Sequence, residues 1–140
     1  MTNAEIFSAY VEAFEETYQD EDWSRLEVYF TENALYVTGD GQEIFGRDSI
    51  ISYLTDSVES VDRRFDSRSP IFSVPETSGT KVSVSWKLTF SKDGAPDLVS
   101  NGSEIAEFDD GAICQLNSVF GEGVIERARV WMEKYGELLA

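Results

Sequence analysis

Lys81-Val82-Ser83-Val84-Ser85-Trp86-Lys87-Leu88-Thr89-Phe90 is the stretch from which the fold can be read. Val82, Val84, Trp86, Leu88 and Phe90 alternate with polar or charged neighbours. Successive side chains of a strand point to opposite faces, so this period of two predicts a strand with one apolar and one wet face. Downstream, Asp93-Gly94 and Asp110-Gly111 are turn dipeptides placed where hairpins would reverse. Between them, residues 98–108 put Leu98, Ser100, Gly102, Glu104, Ala106 and Phe108 on one face, and Ala112–Phe120 supplies a last strand. Upstream, an earlier strand is expected within residues 61–74, where Pro70 suggests an edge or a bulge because it cannot donate to a ladder.

The first 60 residues follow a different period. Phe7, Tyr10, Val11, Phe14 and Tyr18 recur at helical spacing over residues 3–20, with glutamates between them. Asp22 is the expected N-cap of a second, short helix that carries Trp23, Leu26 and Phe30. A calcium loop starting at Asp20 fails, because Arg25 stands where glycine is needed and Thr31 where the bidentate glutamate belongs. Ala34–Thr38 reads as a short strand before the turn at residues 39–41, and Ile50, Ile51, Leu54 and Val58 mark a third helix over residues 47–59. Residues 122–139 read as an amphipathic helix with Val124, Ala128, Trp131, Tyr135 and Leu138 in one stripe. Helices followed by a curled antiparallel sheet define an α+β chain, expected to form one domain over residues 1–140, with a body at 1–121 and a terminal helix at 122–140.

Composition narrows the function. Twenty-seven acidic groups face 11 basic ones, a net charge of −16, which repels phosphate backbones and anionic lipid. Neither a nucleic-acid partner nor a membrane is therefore expected. Histidine is absent, which removes serine–histidine and cysteine–histidine nucleophiles and most transition-metal sites, so no metal and no cofactor is expected. The single cysteine, Cys114, cannot form an internal disulfide, which fits a reducing compartment and a cytoplasmic location. Nine Phe, six Tyr and three Trp argue for a substantial core or pocket.

Several local patterns resemble the nuclear transport factor 2-like superfamily. Asp22-Trp23-Ser24-Arg25-Leu26, Tyr29-Phe30 and Ala34-Leu35-Tyr36 resemble its opening segment, and Ile44-Phe45-Gly46-Arg47-Asp48-Ser49-Ile50 resembles the approach to its third helix. Phe108-Asp109-Asp110-Gly111-Ala112-Ile113 resembles the final hairpin of the SnoaL-like, polyketide-cyclase branch. The resemblance, which spans residues 5 to 120, implies a cone: a strongly curved mixed sheet wrapped around the N-terminal helices, with a blind apolar pocket and frequent homodimers through the sheet. It also implies a choice of chemistries, among them ketosteroid isomerases, polyketide cyclases and non-catalytic binders.

Laid on the isomerase pattern, the carboxylate base falls on Thr38 and the donor tyrosine on Phe14, neither of which can serve, while a third acidic position is kept by Glu104. Glu104 shares its strand face with Gly102, Ala106 and Phe108, so it should look into the cone, where poor solvation would raise its pKa. It reads either as an acid/base or ligand anchor, with Tyr36 or Tyr10 as proton donor, or as a buried group satisfied by a tyrosine hydroxyl. Catalytic candidates are thus Glu104 and Tyr36. Ligand-binding candidates are Tyr10, Phe14, Thr38, Trp86, Phe108, Leu116, Ser118 and Phe120. Ser118 and Cys114 share one parity of the last strand and are expected to face inward, and alternation places Arg64 and Arg68 on one strand face, where they are expected to salt-bridge to the acidic surface rather than recognise an acidic ligand or a partner subunit. The expected function is a small-molecule pocket protein for an apolar cyclic or aliphatic ligand; the alternatives are an isomerase, cyclase or hydratase using Glu104, or a protein-interaction domain with a filled cone.

Overall fold

Residues 1–140 are described by a computed structural model of the chain. Helix α1 (Asn3–Asp20) starts at Thr2, whose hydroxyl accepts from the Glu5 N–H at 3.1 Å while the Glu5 carboxylate accepts from the Thr2 N–H at 3.0 Å. This reciprocal box satisfies two amide donors that a helix start leaves free. The helix buries Phe7, Tyr10, Ala13 and Thr17, and stops where Glu21 turns left-handed at φ 60°. The next segment, Trp23–Tyr29, is a 3-10 helix rather than the capped α-helix expected: the Asp22 carboxylate accepts from the Ser24 hydroxyl and caps no backbone amide. Phe30 belongs instead to β1 (Phe30–Val37), which is longer than expected. Helix α2 (Arg47–Ser60) buries Ile50, Leu54 and Val58, three of the four periodic positions.

The remaining strands are β2 (Glu43–Phe45), β3 (Ser67–Phe72), β4 (Glu76–Ser78), β5 (Lys81–Ser91), β6 (Leu98–Asp109) and β7 (Ala112–Phe120). The sheet order is β2-β1-β7-β6-β5-β3, with β4 pairing β5 beside β3. Every pairing is antiparallel except β1 with β7, so the curved sheet is mixed. The β6–β7 hairpin turns on Asp110 and Gly111 at φ 49° and 79°, the two left-handed positions a two-residue turn requires. Helices α1 and α2 cover the inner face, where Phe7, Tyr10, Ile50 and Leu54 pack with Val82, Val84, Phe108, Ile113 and Leu116.

Pairing register then lays out the inner wall. Val84 of β5 lies opposite Glu104 of β6, and Glu104 lies opposite Ser118 of β7. One step along, Trp86, Gly102 and Phe120 form the neighbouring row. On the far side of β7, Tyr36 of β1 is paired with Leu116.

Four expectations need correction. The segment 61–74 starts with a 3-10 turn, Asp62–Arg64, and only Ser67–Phe72 is strand, so the exposed Arg64 shares no strand face with Arg68. Pro70 does sit on the edge strand. Cys114 does not share the face of Ser118, because the β6–β7 register slips between Glu107 and Phe108. A bulge of this kind adds one residue and reverses the alternation, so Ile113 takes the inward place and the half-buried Cys114 directs its thiol to the Glu107 carbonyl at 3.4 Å. In the C-terminal helix α3 (Val124–Tyr135) the chain tightens to 3-10 over Gly136–Leu139, so Leu139 is buried and Leu138 is exposed.

Trp131 of α3 anchors a second core with Phe65, Phe90 and Leu139, its ring 5.3 Å from that of Phe65 and its indole N–H donating to the Pro96 carbonyl at 2.8 Å. Within the chain the helix packs against Phe90 and Leu98, the apolar face at the far end of the β5–β6 hairpin.

Candidate functional site

Between α1, α2 and the inner face of the sheet lies a cavity of about 250 Å³. Its walls are mostly aromatic. Tyr36 and Tyr53 meet edge to face at 5.8 Å, as do Trp86 and Phe120 at 6.1 Å. Two glycines make room for the second pair. A Cβ on Gly102 would lie 2.1 Å from the Val119 carbonyl oxygen and 2.9 Å from the Trp86 ring, and one on Gly39 would lie 2.6 Å from the Phe120 ring. No residue of α3 lines this space.

Tyr10, Phe14, Tyr36, Thr38, Trp86, Glu104, Ser118 and Phe120 all border the cavity. Phe108 and Leu116, expected as ligand contacts, do not. They occupy the correct sheet face but sit lower in it, 4% and 1% exposed, packed beneath α1 in the main core. Thr38 borders the cavity with a hydroxyl already committed: it donates to the Asp40 carboxylate and accepts from the Gln42 N–H at 3.0 Å, closing the β1–β2 turn.

Glu104 is the carboxyl group on the inner wall of the sheet. Its Oε2 accepts from the Ser118 hydroxyl at 3.3 Å, and the Tyr36 hydroxyl lies 3.3 Å from the same Ser118 oxygen. Ser118 has one proton to give, so with Glu104 ionised the order is Tyr36 to Ser118 to Glu104. The other carboxyl oxygen has no protein partner and is not enclosed, which leaves it facing the cavity. Burial pushes the Glu104 pKa up to about 7, against the opposing pull of the Ser118 hydrogen bond. Burial and the charge of Glu104 raise the Tyr36 and Tyr10 phenols, which stay protonated and able to donate. The arrangement can hold or move one proton near neutral pH.

Arg68, read from the sequence as a salt-bridging group of the acidic surface, is a second polar side chain bordering the same cavity. Arg68 of β3 directs Nε to the Asp62 carboxylate at 2.7 Å and Nη1 to that of Glu15 on α1 at 2.6 Å. Its side chain is only 8% exposed, and its guanidinium lies over the Phe14 and Tyr18 rings at 5.5 and 5.1 Å. Burial outweighs Arg68 at Asp62 and raises its pKa above the ordinary carboxylate value. The basic cluster at residues 63–68 was visible in the sequence, but its partner Glu15 lies 53 residues away and no local pattern announces it. Tyr53 was missed, although it stands within the periodic stretch that marked α2.

No protein-family model and no curated protein matches the chain. Solved structures do match it. An NTF2-like protein of unknown function from Exiguobacterium sp. 255-15 is 21% identical with a TM-score of 0.66, covering 84% of this chain and 98% of that one. A candidate SnoaL-like polyketide cyclase from Shewanella denitrificans OS-217 is 12% identical with a TM-score of 0.67, covering 91% and 96%. A hypothetical protein of ketosteroid isomerase-like fold from Catenulispora acidiphila DSM 44928, in complex with trimethylamine, is 14% identical with a TM-score of 0.63, covering 83% and 88%. The chain therefore has the nuclear transport factor 2-like fold, the α+β architecture implied by the motifs at residues 22–36, 44–50 and 108–113.

Proposed function

We propose that this protein is a SnoaL-like small-molecule pocket protein whose cavity takes up an apolar cyclic or aliphatic ligand and presents Glu104 to it. The observation that carries the reading is the Glu104 carboxyl group on the sheet wall, bonded only to Ser118 and unpaired with any cation, fronting a mostly aromatic cavity of about 250 Å³. Small-molecule sites commonly combine mostly apolar walls with a few placed polar groups. The proposal extends to one domain over residues 1–140, a soluble cytoplasmic protein without nucleic-acid or membrane partners, and a homodimer through the sheet. No helix is long and apolar enough to cross a membrane.

The test is a thermal-shift screen of wild type and Glu104→Gln against steroids, polyketide-like aromatics, terpenoid epoxides, fatty acids and small amines. A ligand at 100 times its dissociation constant stabilises the fold by about 2.7 kcal/mol. Stabilisation by at least one apolar class, weakened in Glu104→Gln, is the expected result. A flat response across the whole panel would sink the reading.

A second reading, an isomerase, cyclase or hydratase, is favoured by the alignment of Glu104, Ser118 and Tyr36, which joins a base titrating near neutrality to a phenol donor. It predicts that a bound ketone exchanges its α-hydrogens with deuterated water, at a rate rising with pH through about 7 and abolished in Glu104→Gln. Binding without exchange would leave the pocket-protein reading alone.

A further inference from the structure

The Arg68 guanidinium is only partly used by the protein. Nε and Nη1 are paired with Asp62 and Glu15, whereas Nη2 donates to no protein atom. That nitrogen is not among the enclosed unpartnered atoms, so the small exposed remainder of a side chain more than nine-tenths buried includes it. Arg68 lines the cavity, and its two ion pairs and two ring contacts fix the plane of the guanidinium before any ligand arrives.

Its position complements Glu104. Arg68 pairs with Phe90 of β5 and Glu104 pairs with Val84 of the same strand, so the two stand on opposite sides of β5 and six positions apart along it. Six residues of extended strand span about 20 Å, and both side chains project into one cavity. Aromatic walls separate them: Trp86 stands between these two positions on β5, and Phe72 projects beside Trp86 from β3. The charge around Arg68 is already more than balanced, because two carboxylates flank one guanidinium. A carboxylate on the ligand would bring a third negative group there, whereas a neutral oxygen needs only the free N–H.

We infer that Arg68 is the second ligand-facing pole of the cavity, offering Nη2 to a neutral oxygen acceptor, so that the ligand is an apolar body with an uncharged oxygen at one end and a group that meets Glu104 at the other. The inference rests on the reading of the cavity as a ligand site. It narrows the substrate class to neutral molecules with polar groups at both ends, such as hydroxy ethers and hydroxy ketones. Arg68 is a ligand-binding residue in this scheme and takes part in no covalent step.

Calorimetric titration with size-matched probes tests it. The probes are 6-methoxy-2-naphthol, 6-ethyl-2-naphthol and 6-hydroxy-2-naphthoate, together with the corresponding 4′-substituted biphenyl-4-ols as a longer set. Each is titrated into wild type, Glu104→Gln and Arg68→Lys, the last of which keeps a cation between Glu15 and Asp62 but lacks the fork. A hydrogen bond from a charged donor corresponds to about a tenfold gain in affinity. The expected result, at one ring length or both, is methoxy over ethyl by about tenfold in wild type, with the carboxylate weakest. In Arg68→Lys the methoxy advantage should all but vanish.

Glu104-dependent binding with no methoxy advantage overturns the inference and leaves the cavity reading in place. An advantage that survives Arg68→Lys, or a carboxylate that binds best, does the same. No binding by any probe at either length overturns both. The comparison of methoxy with ethyl in wild type decides the question even if Arg68→Lys fails to fold.

Discussion

A carboxyl group whose pKa rises to about 7 on folding makes stability fall as pH rises. In the unfolded chain Glu104 releases its proton near pH 4.5, so below that pH both states hold the proton and nothing is lost. Between there and about pH 7 only the unfolded state gives it up, which favours unfolding. The accumulated cost above pH 7 is about 3 kcal/mol. Glu104→Gln cannot ionise, so it should match wild type at pH 4 and exceed it by up to that amount at pH 8. Denaturant titrations of both proteins at the two pH values measure the difference, and an equal gap at both would show that Glu104 is not desolvated. Gly102 offers a steric counterpart: Gly102→Ala drives a methyl into the Val119 carbonyl and the Trp86 ring, and should cost about 3 kcal/mol. At this scale the sequence was informative where alternation alone decides orientation. Glu104, Ser118, Trp86 and Phe120 were readable as inward because β5, β6 and the end of β7 run without interruption. Cys114 was not, because a bulge is a property of two paired strands and leaves no mark on either sequence.

Between elements, Arg68 ties α1, the 3-10 turn at Asp62 and the edge strand β3 into one wall of the cavity. Removing one partner of a buried pair costs more than the pair contributes, because the remaining charge is left without compensation. Arg68→Met strands the Asp62 carboxylate at 12% exposure and Glu15 at 35%, the second largely relieved by water. The expected loss is about 3 kcal/mol at pH 7, shrinking toward pH 4 as Asp62, already raised in pKa, takes up a proton. Chemical denaturation at the two pH values checks both the size and the sign. This junction also explains why segment 61–74 was the least legible part of the fold. Its strand begins late because Asp62–Arg64 turn to bring an arginine and two carboxylates together, an arrangement set by contacts that no period of two or 3.6 encodes. The helices α1 and α2 were legible because their apolar stripes are local.

Over the whole molecule the apolar interior is divided into two clusters, one beneath α1 and α2 and one beneath α3. The cavity belongs to the first, so damage to the second should separate stability from ligand binding. Trp131→Ala removes a ring that is 5% exposed and should cost about 3 to 5 kcal/mol while leaving the dissociation constant of any cavity ligand unchanged. Thermal melts and calorimetry on the same preparation would check it, and a weakened ligand would show that the two clusters communicate. The position of α3 was not legible because an amphipathic stripe states that a face is covered without saying by what. The same division sorts the three tryptophans. Trp86 borders the cavity, Trp131 fills the second cluster, and Trp23 meets Phe14 at 5.9 Å on the flank of the first. Each indole therefore occupies a different compartment, and retaining one while replacing the other two with phenylalanine would make the chain report optically on occupancy, terminal-helix docking or the main interior, one at a time and without an added label.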